Sequence, residues 1–158
     1  MCIRDRYYLE RLFHPERMTL QGHTDGVKGV TSNPSIFEKA IGSSDEYDGP
    51  IGHALKKGDR PVAELFEHLA VEDIQHAADV LRPVYDRLKG DDGFVSLEVS
   101  PYLAMDTKAT IAEAERLWKD VKRKNLMVKV PATPAGLPAI QHLIGEGISC
   151  LLYTSRCV

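Results

Sequence analysis

The sequence predicts an α/β fold with a parallel sheet, arranged as in a (β/α) barrel with one polar and one apolar sheet face. Three observations carry that expectation. Short apolar runs alternate with longer amphipathic ones, each strand segment has one apolar and one polar face, and the polar residues gather near the strand ends. Strands separated by helices need crossover connections and therefore pair in parallel. An open doubly wound sheet meets the same spacing, but helices on both of its faces would want apolar residues on both. Inward polar groups near the C-terminal ends of successive strands are how a barrel builds a site.

The first element, Val27 to Asn33, reads as a strand, ended where Pro34 biases the preceding residue to extended backbone. Pro34 and Ser35 open a helix through Ile36, Phe37 and Ala40. Gly42 to Pro50 reads as a polar loop whose Ser43, Ser44 and Asp45 can cap the next helix. Over residues 61–89, Leu65, Phe66, Leu69, Val71, Ile74, Ala78, Leu81, Tyr85 and Leu88 recur at helical intervals, and Pro83 is expected to kink or divide that helix. Gly90-Asp91-Asp92-Gly93 is a turn, and Phe94 to Val99 a strand. Asp106 to Arg123 reads as a helix with Asp106 as N-cap and Ile111, Ala114, Leu117, Trp118 and Val121 as its buried stripe. Leu126 to Val130 is the next strand. Thr133 and Pro134 begin a last helix carrying Leu137, Ile140, Leu143 and Ile144, which stops at Gly145 or Gly147, and Ile148 starts a further strand.

A chain of 158 residues, 43% of them hydrophobic, has the size of one ordinary domain. Its net charge of −3 gives no electrostatic reason to expect nucleic acid or an anionic membrane as partner. No stretch approaches the roughly 18 apolar residues of a membrane span, and Met1 to Arg6 lacks the apolar run of a signal peptide. A soluble, cytoplasmic protein is the resulting expectation. Cys2, Cys150 and Cys157 all lie at the ends, so no disulfide framework or zinc spacing can be built. The histidines, such as His68 and His76, fall on predicted helices without a two-ligand spacing, and no metal site is expected. Residues 1–6 and 150–158 do not continue the patterns beside them. They resemble adapter sequence read as protein and are set aside as non-native ends, leaving 7–149 as the folded part.

The chemistry centres on Lys129. It lies in an apolar strand, with Met127 and Pro131 on its own face and Val128 and Val130 on the other. A desolvated lysine loses its proton more readily and becomes a nucleophile toward carbonyl carbon, which is Schiff-base chemistry. In the preceding strand, Ser96, Glu98 and Ser100 oppose Val95, Leu97 and Val99; in the one before, Gly29, Thr31 and Asn33 oppose Val30 and Ser32. Glu98 can supply the acid/base that a Schiff base needs, directly or through a water. Asn33 can hydrogen-bond a substrate oxygen without adding charge. Each residue also has a plainer reading: Lys129 snorkelling from an edge strand, Glu98 paired with a basic group, Asn33 forming a turn before Pro34. A buried Glu98–Lys129 ion pair with no catalytic role accounts for two of them at once. The pattern alone leaves the Schiff base and the structural pair both open.

Three segments bear a resemblance. Gly-Val-Thr-Ser-Asn-Pro-Ser-Ile-Phe-Glu-Lys-Ala-Ile (29–41) resembles the first transaldolase signature, and Met-Val-Lys-Val-Pro-Ala-Thr (127–133) resembles its active-site lysine signature. Val95-Ser-Leu-Glu-Val-Ser-Pro101 matches as well, and the likeness runs from about Val27 to Ser149. The wide separation of Asn33 and Lys129 resembles the long transaldolases, and Gly42 to Asp48 the branch that includes fusions to a glucose-6-phosphate isomerase domain. The resemblance implies roughly the first half of a (β/α)8 TIM barrel of the class I aldolase type. It implies a Schiff base on Lys129 with a ketose phosphate such as fructose 6-phosphate or sedoheptulose 7-phosphate. The dihydroxyacetone unit then passes to an aldose phosphate, a step of the pentose phosphate pathway, with no cofactor because the imine is the electron sink. Glu98 would relay protons through a water, and Asn33 with Thr31 would hold the dihydroxyacetone hydroxyls. The family's first-strand aspartate has no good match in Asp5 or Asp25, and its phosphate-binding serine and arginine have none here. A Schiff-base aldolase that releases dihydroxyacetone is the neighbouring alternative.

Overall fold

The computed structural model describes residues 28–43, 45–56, 58 and 61–153. Among these residues four strands pair in parallel: β1 (Val30–Thr31), β2 (Val95–Glu98), β3 (Leu126–Pro131) and β4 (Cys150–Tyr153). Helices α1 (Pro34–Ser43), α2 (Asp48–Lys56) and α3 (Val62–Arg87) join β1 to β2, α4 (Thr107–Val121) joins β2 to β3, and α5 (Gly136–Gly145) joins β3 to β4. The spatial order β1-β2-β3-β4 repeats the chain order. A doubly wound sheet reverses direction at a switch point; this one does not. The fold is α/β, part of a (β/α)8 barrel. Expected features that fall on residues 1–27, among them Val27, Asp5, Asp25 and the end 1–6, lie outside the described residues, as do residues 154–158.

The apolar strand faces carry the core. Val95, Val99, Leu126, Val128 and Val130 are fully buried against Ile74, Ala78 and Leu81 of α3, Ala114, Leu117 and Val121 of α4, and Leu143 of α5. Each such aliphatic side chain contributes about 1.5–3 kcal/mol by leaving water. On α4 the buried residues Thr110, Ala114, Leu117 and Val121 recur at alternating four- and three-residue steps, as a single buried stripe requires. Asp106 caps that helix as expected, its Oδ1 accepting from the Ala109 N–H at 3.0 Å. At the other end Lys122 adopts the left-handed conformation (φ 51°) and closes it.

Two expectations need correction, and a third element acquires its buried face. Gly42 to Pro50 is not a loop throughout: a 3₁₀ turn at Asp45–Tyr47 leads into α2. Its Gly and Pro residues read locally as breakers. What overrides them is tertiary: Tyr47 is buried and its hydroxyl donates to the buried Asp73 of α3 at 2.6 Å. Pro83 does not divide α3, which runs through to Arg87; the intrahelical bond it forgoes to the Asp79 carbonyl is offset by the burial of Leu81 and the packing of Val84 against the core on either side of it. On α5 the buried face is Gly136, Ala139, Ile140 and Leu143, whereas Leu137 and Ile144 are exposed. Small residues turn inward here because a Cβ at Gly136 would overlap the Pro131 carbonyl oxygen. Thr133 caps this helix, its Oγ1 accepting from the Gly136 N–H at 2.9 Å.

Candidate active site

The site is assembled by strand register. Glu98 is the partner of Lys129 across β2 and β3, and Thr31 is the partner of Ser96 across β1 and β2. Lys129 Nζ donates to Glu98 Oε2 at 2.9 Å, with the two side chains 17% and 7% exposed. β3 lies between β2 and β4, so Lys129 is not the snorkelling lysine of an edge strand. Its amine stands beside a carboxylate in a place with little water, within direct reach of a proton acceptor. That contact serves a structural ion pair and an acid/base couple equally well.

The backbone around the pair is tied down on both sides. Val99 N–H donates to the Lys129 carbonyl at 3.1 Å, and Ala132 N–H to the Tyr153 carbonyl at 2.8 Å. Beyond the strand ends, Thr133 Oγ1 donates to the Ala104 carbonyl and Thr107 Oγ1 to the Ala135 carbonyl, the latter at 2.6 Å. The loops after β2 and β3 are thereby fastened to each other, which holds Glu98 and Lys129 level.

β1 supplies the other two expected residues. Ser32 donates to the Ser96 carbonyl from both N and Oγ, at 3.2 and 2.6 Å, and so extends the pairing past Thr31. Counting on by two residues brings Asn33 to the level of Glu98. Asn33 begins α1: its carbonyl accepts from Phe37 N–H at 3.1 Å and its Oδ1 from Ser35 N–H at 2.9 Å. The turn-forming reading of Asn33 therefore holds, and it leaves the Nδ2 amide as the donor with which a bound oxygen could be met. The structure thus brings Glu98 and Lys129 into contact and places Thr31 and Asn33 on the adjoining strand and its end.

Sequence reasoning did not place Tyr153 beside Lys129, because it belongs to the segment set aside as non-native. Residues Cys150–Tyr153 form β4, with Tyr153 opposite Pro131 and hence on the face of Lys129. The Lys129 ammonium lies 4.8 Å from the Tyr153 ring centroid, a cation–π distance. Burial, together with the hydrogen bond and charge of Glu98, pushes the Tyr153 phenol well above its usual range. The apolar run Cys-Leu-Leu-Tyr was the available signal. A groove of about 820 Å³ lies between α1, α3 and α4, lined by Phe37, Phe66, Leu97, Glu98 and Leu117 among others, and Lys129 is not part of it. The groove runs along the helix side of the sheet and reaches Glu98 but not Lys129. Among the described residues no cluster of three or more His, Cys, Asp or Glu is placed to hold a metal, and no helix is long and apolar enough to cross a membrane.

Comparison with known proteins bears on the same segment. The family model described as Transaldolase/Fructose-6-phosphate aldolase matches residues 14–154. The Transaldolase of Trichodesmium erythraeum is 48% identical over 124 residues, which cover 78% of this chain and 32% of that protein. The Transaldolase of Thermobifida fusca is 54% identical over 123 residues, 78% of this chain and 33% of that protein. Transaldolase 1 of Streptomyces avermitilis is 53% identical over 123 residues, again 78% of this chain, and 32% of that protein. The chain thus spans about a third of the length of the curated relatives it matches.

Proposed function

We propose a Schiff-base transfer reaction on one footing: the chain belongs to the transaldolase/fructose-6-phosphate aldolase family. The complete enzyme that carries this segment takes a dihydroxyacetone unit from a ketose phosphate, fructose 6-phosphate or sedoheptulose 7-phosphate. It passes that unit to an aldose phosphate, in the cytoplasmic pentose phosphate pathway. Lys129 is the nucleophile, Glu98 the proton relay, and Asn33 with Thr31 the holders of the dihydroxyacetone hydroxyls. The observation that supports these roles best is the 2.9 Å contact between Lys129 Nζ and Glu98 Oε2 on an interior strand.

The chemical steps start from that contact. Lys129 passes a proton to Glu98 and its freed amine adds to the ketose carbonyl, giving a carbinolamine. Glu98 then returns the proton to the carbinolamine hydroxyl, which leaves as water, and an iminium faces a carboxylate once more. The iminium draws electrons from the C3–C4 bond as the C4 hydroxyl gives its proton to a base, the part that the family's first-strand aspartate plays; the aldose phosphate leaves as an aldehyde, and the enamine on Lys129 awaits an acceptor aldehyde. The imine itself is the electron sink, so the reaction needs no cofactor. We also propose that residues 7–149 form the N-terminal half of the barrel and that 1–6 and 150–158 are foreign to it, Cys150–Tyr153 standing where a native strand would pair. The 158-residue chain by itself is expected to show no turnover.

The ion pair is also what a non-catalytic role would require, and trapping separates the two. Borohydride added to the complete-length enzyme with fructose 6-phosphate is expected to fix a covalent adduct, mapped by peptide analysis to Lys129. A clean Lys129 peptide would sink the Schiff-base reading. Adding and omitting an acceptor aldose in the same assay tells transfer from release of dihydroxyacetone.

A further inference from the structure

Ser96 is a buried hydroxyl whose hydrogen bonding is incomplete. It is 2% exposed, and among the described residues its Oγ meets no hydrogen-bond partner. Its backbone is nevertheless held firmly by the two bonds from Ser32. Val95, Leu97 and Val99 of the same segment lie in the helix-facing core, so alternation sends Ser96 to the face of Glu98. Register gives its surroundings: Thr31 across on β1, Met127 across on β3, and the Glu98–Lys129 pair two residues further along.

A desolvated hydroxyl left without a partner is costly, and in folded proteins ordered water completes such groups where two to four polar neighbours stand around the place. Ser96, Thr31 and Glu98 provide three. Two residues along a strand span about 6.6 Å, and two hydrogen bonds in series through one water span about 5.6 Å. The Glu98 side chain is two bonds longer than that of Ser96 and makes up the difference of about 1 Å, so that a single water bridges the Ser96 hydroxyl and the Glu98 carboxylate.

We propose that Ser96 positions the water through which Glu98 exchanges its proton during Schiff-base formation at Lys129. This inference rests on the Schiff-base reading above. As the carbinolamine C–O bond breaks, protonated Glu98 gives its proton to this water, which hands one on to the departing hydroxyl. The nitrogen lone pair closes the C=N bond, leaving an iminium, a carboxylate and one released water. Ser96 touches neither substrate nor amine and acts only by holding the intermediary in line.

The test uses Ser96→Ala and the near-isosteric Ser96→Cys, whose thiol is a poor hydrogen-bond partner, in the complete-length enzyme with fructose 6-phosphate as donor. Both variants are expected to lose about 10–100-fold in kcat with KM held within about twofold, as removal of a proton-relay element predicts. The rate of borohydride-trapped adduct at Lys129 should fall in step. A merely structural Ser96 would change the melting temperature and the folded yield but leave kcat per folded site at the parent value, and that result in either variant overturns the inference. If the alanine variant does not fold, the cysteine variant decides. Parent enzyme that gives an adduct while both variants trap at the parent rate removes the role of Ser96 alone. Parent enzyme that gives no adduct removes the Schiff-base reading and this role together.

Discussion

The two faces of the sheet differ in almost every physical respect although their residues alternate along the same strands. On the helix side, Val95, Val99, Leu126, Val128 and Val130 are apolar and completely buried. On the inner side, Ser96, Glu98 and Lys129 are polar, the last two joined by a charged contact, and the Ser96 hydroxyl meets no partner among the described residues. The first face stabilises the fold; the second holds charge and polar atoms in reserve for something else. A step of one residue thus separates positions where substitution should affect folding from positions where it should affect chemistry.

Substitutions on each face can break or sharpen that division, and the largest effect belongs to Lys129→Arg. A guanidinium keeps the charge beside Glu98 but does not deprotonate, so it cannot form an imine. We expect the complete-length enzyme to lose turnover on the order of 10⁴-fold or more while retaining a cooperative melt. Substantial residual transfer would show that the inner face is not where the reaction occurs. Next comes Glu98→Gln, which leaves the amine without its acceptor. Adduct formation should slow by roughly 10²–10³-fold, measured as trapped Lys129 against time.

Three residues before the nucleophile and on the opposite face, Leu126→Ala should cost about 2–5 kcal/mol of stability by opening a cavity. Denaturant unfolding reads that cost, and kcat per folded site should stay near the parent value. A loss of kcat in the folded fraction would mean that the two faces are mechanically coupled. The smallest effect lies outside the sheet. Arg123 hydrogen-bonds Asp79 at 2.6 and 2.9 Å and holds its carboxyl below the ordinary value of 3.8. A depressed carboxylate contributes stability above its unfolded pKa and loses it as pH falls through the folded one, so this contribution should fade on acidification below about pH 4. Asp79 is more than half exposed, and salt should screen most of the effect. Comparing acid unfolding of Asp79→Asn with the parent at low and high salt measures it.

Much of this division was legible in the residues alone. Alternation within Val95 to Val99 and Leu126 to Pro131 assigned each side chain to its face, because a strand's period of two leaves no freedom once one face is apolar. Asp106 announced α4, since an aspartate before a periodic apolar run has one efficient use. What stayed hidden depended on contacts distant in sequence. α2 contains Gly49, Pro50 and Gly52 and exists beside a buried Tyr47–Asp73 bond. The inward turn of α5 depends on how closely Gly136 approaches Pro131. Burial of Ser96 and the approach of Tyr153 to Lys129 arise only when neighbouring strands are in register, and periodicity within one segment does not contain that information.

The match between spatial and chain order has a consequence for how the protein is made. Each strand finds its partner in the strand translated just before it, so the sheet can grow from one margin as the polypeptide leaves the ribosome. Glu98 emerges 31 residues ahead of Lys129, an interval of about 2–6 s at elongation rates of roughly 5–20 residues per second. The carboxylate is therefore already waiting when the lysine arrives, and the amine never has to enter the nascent barrel without its counter-charge.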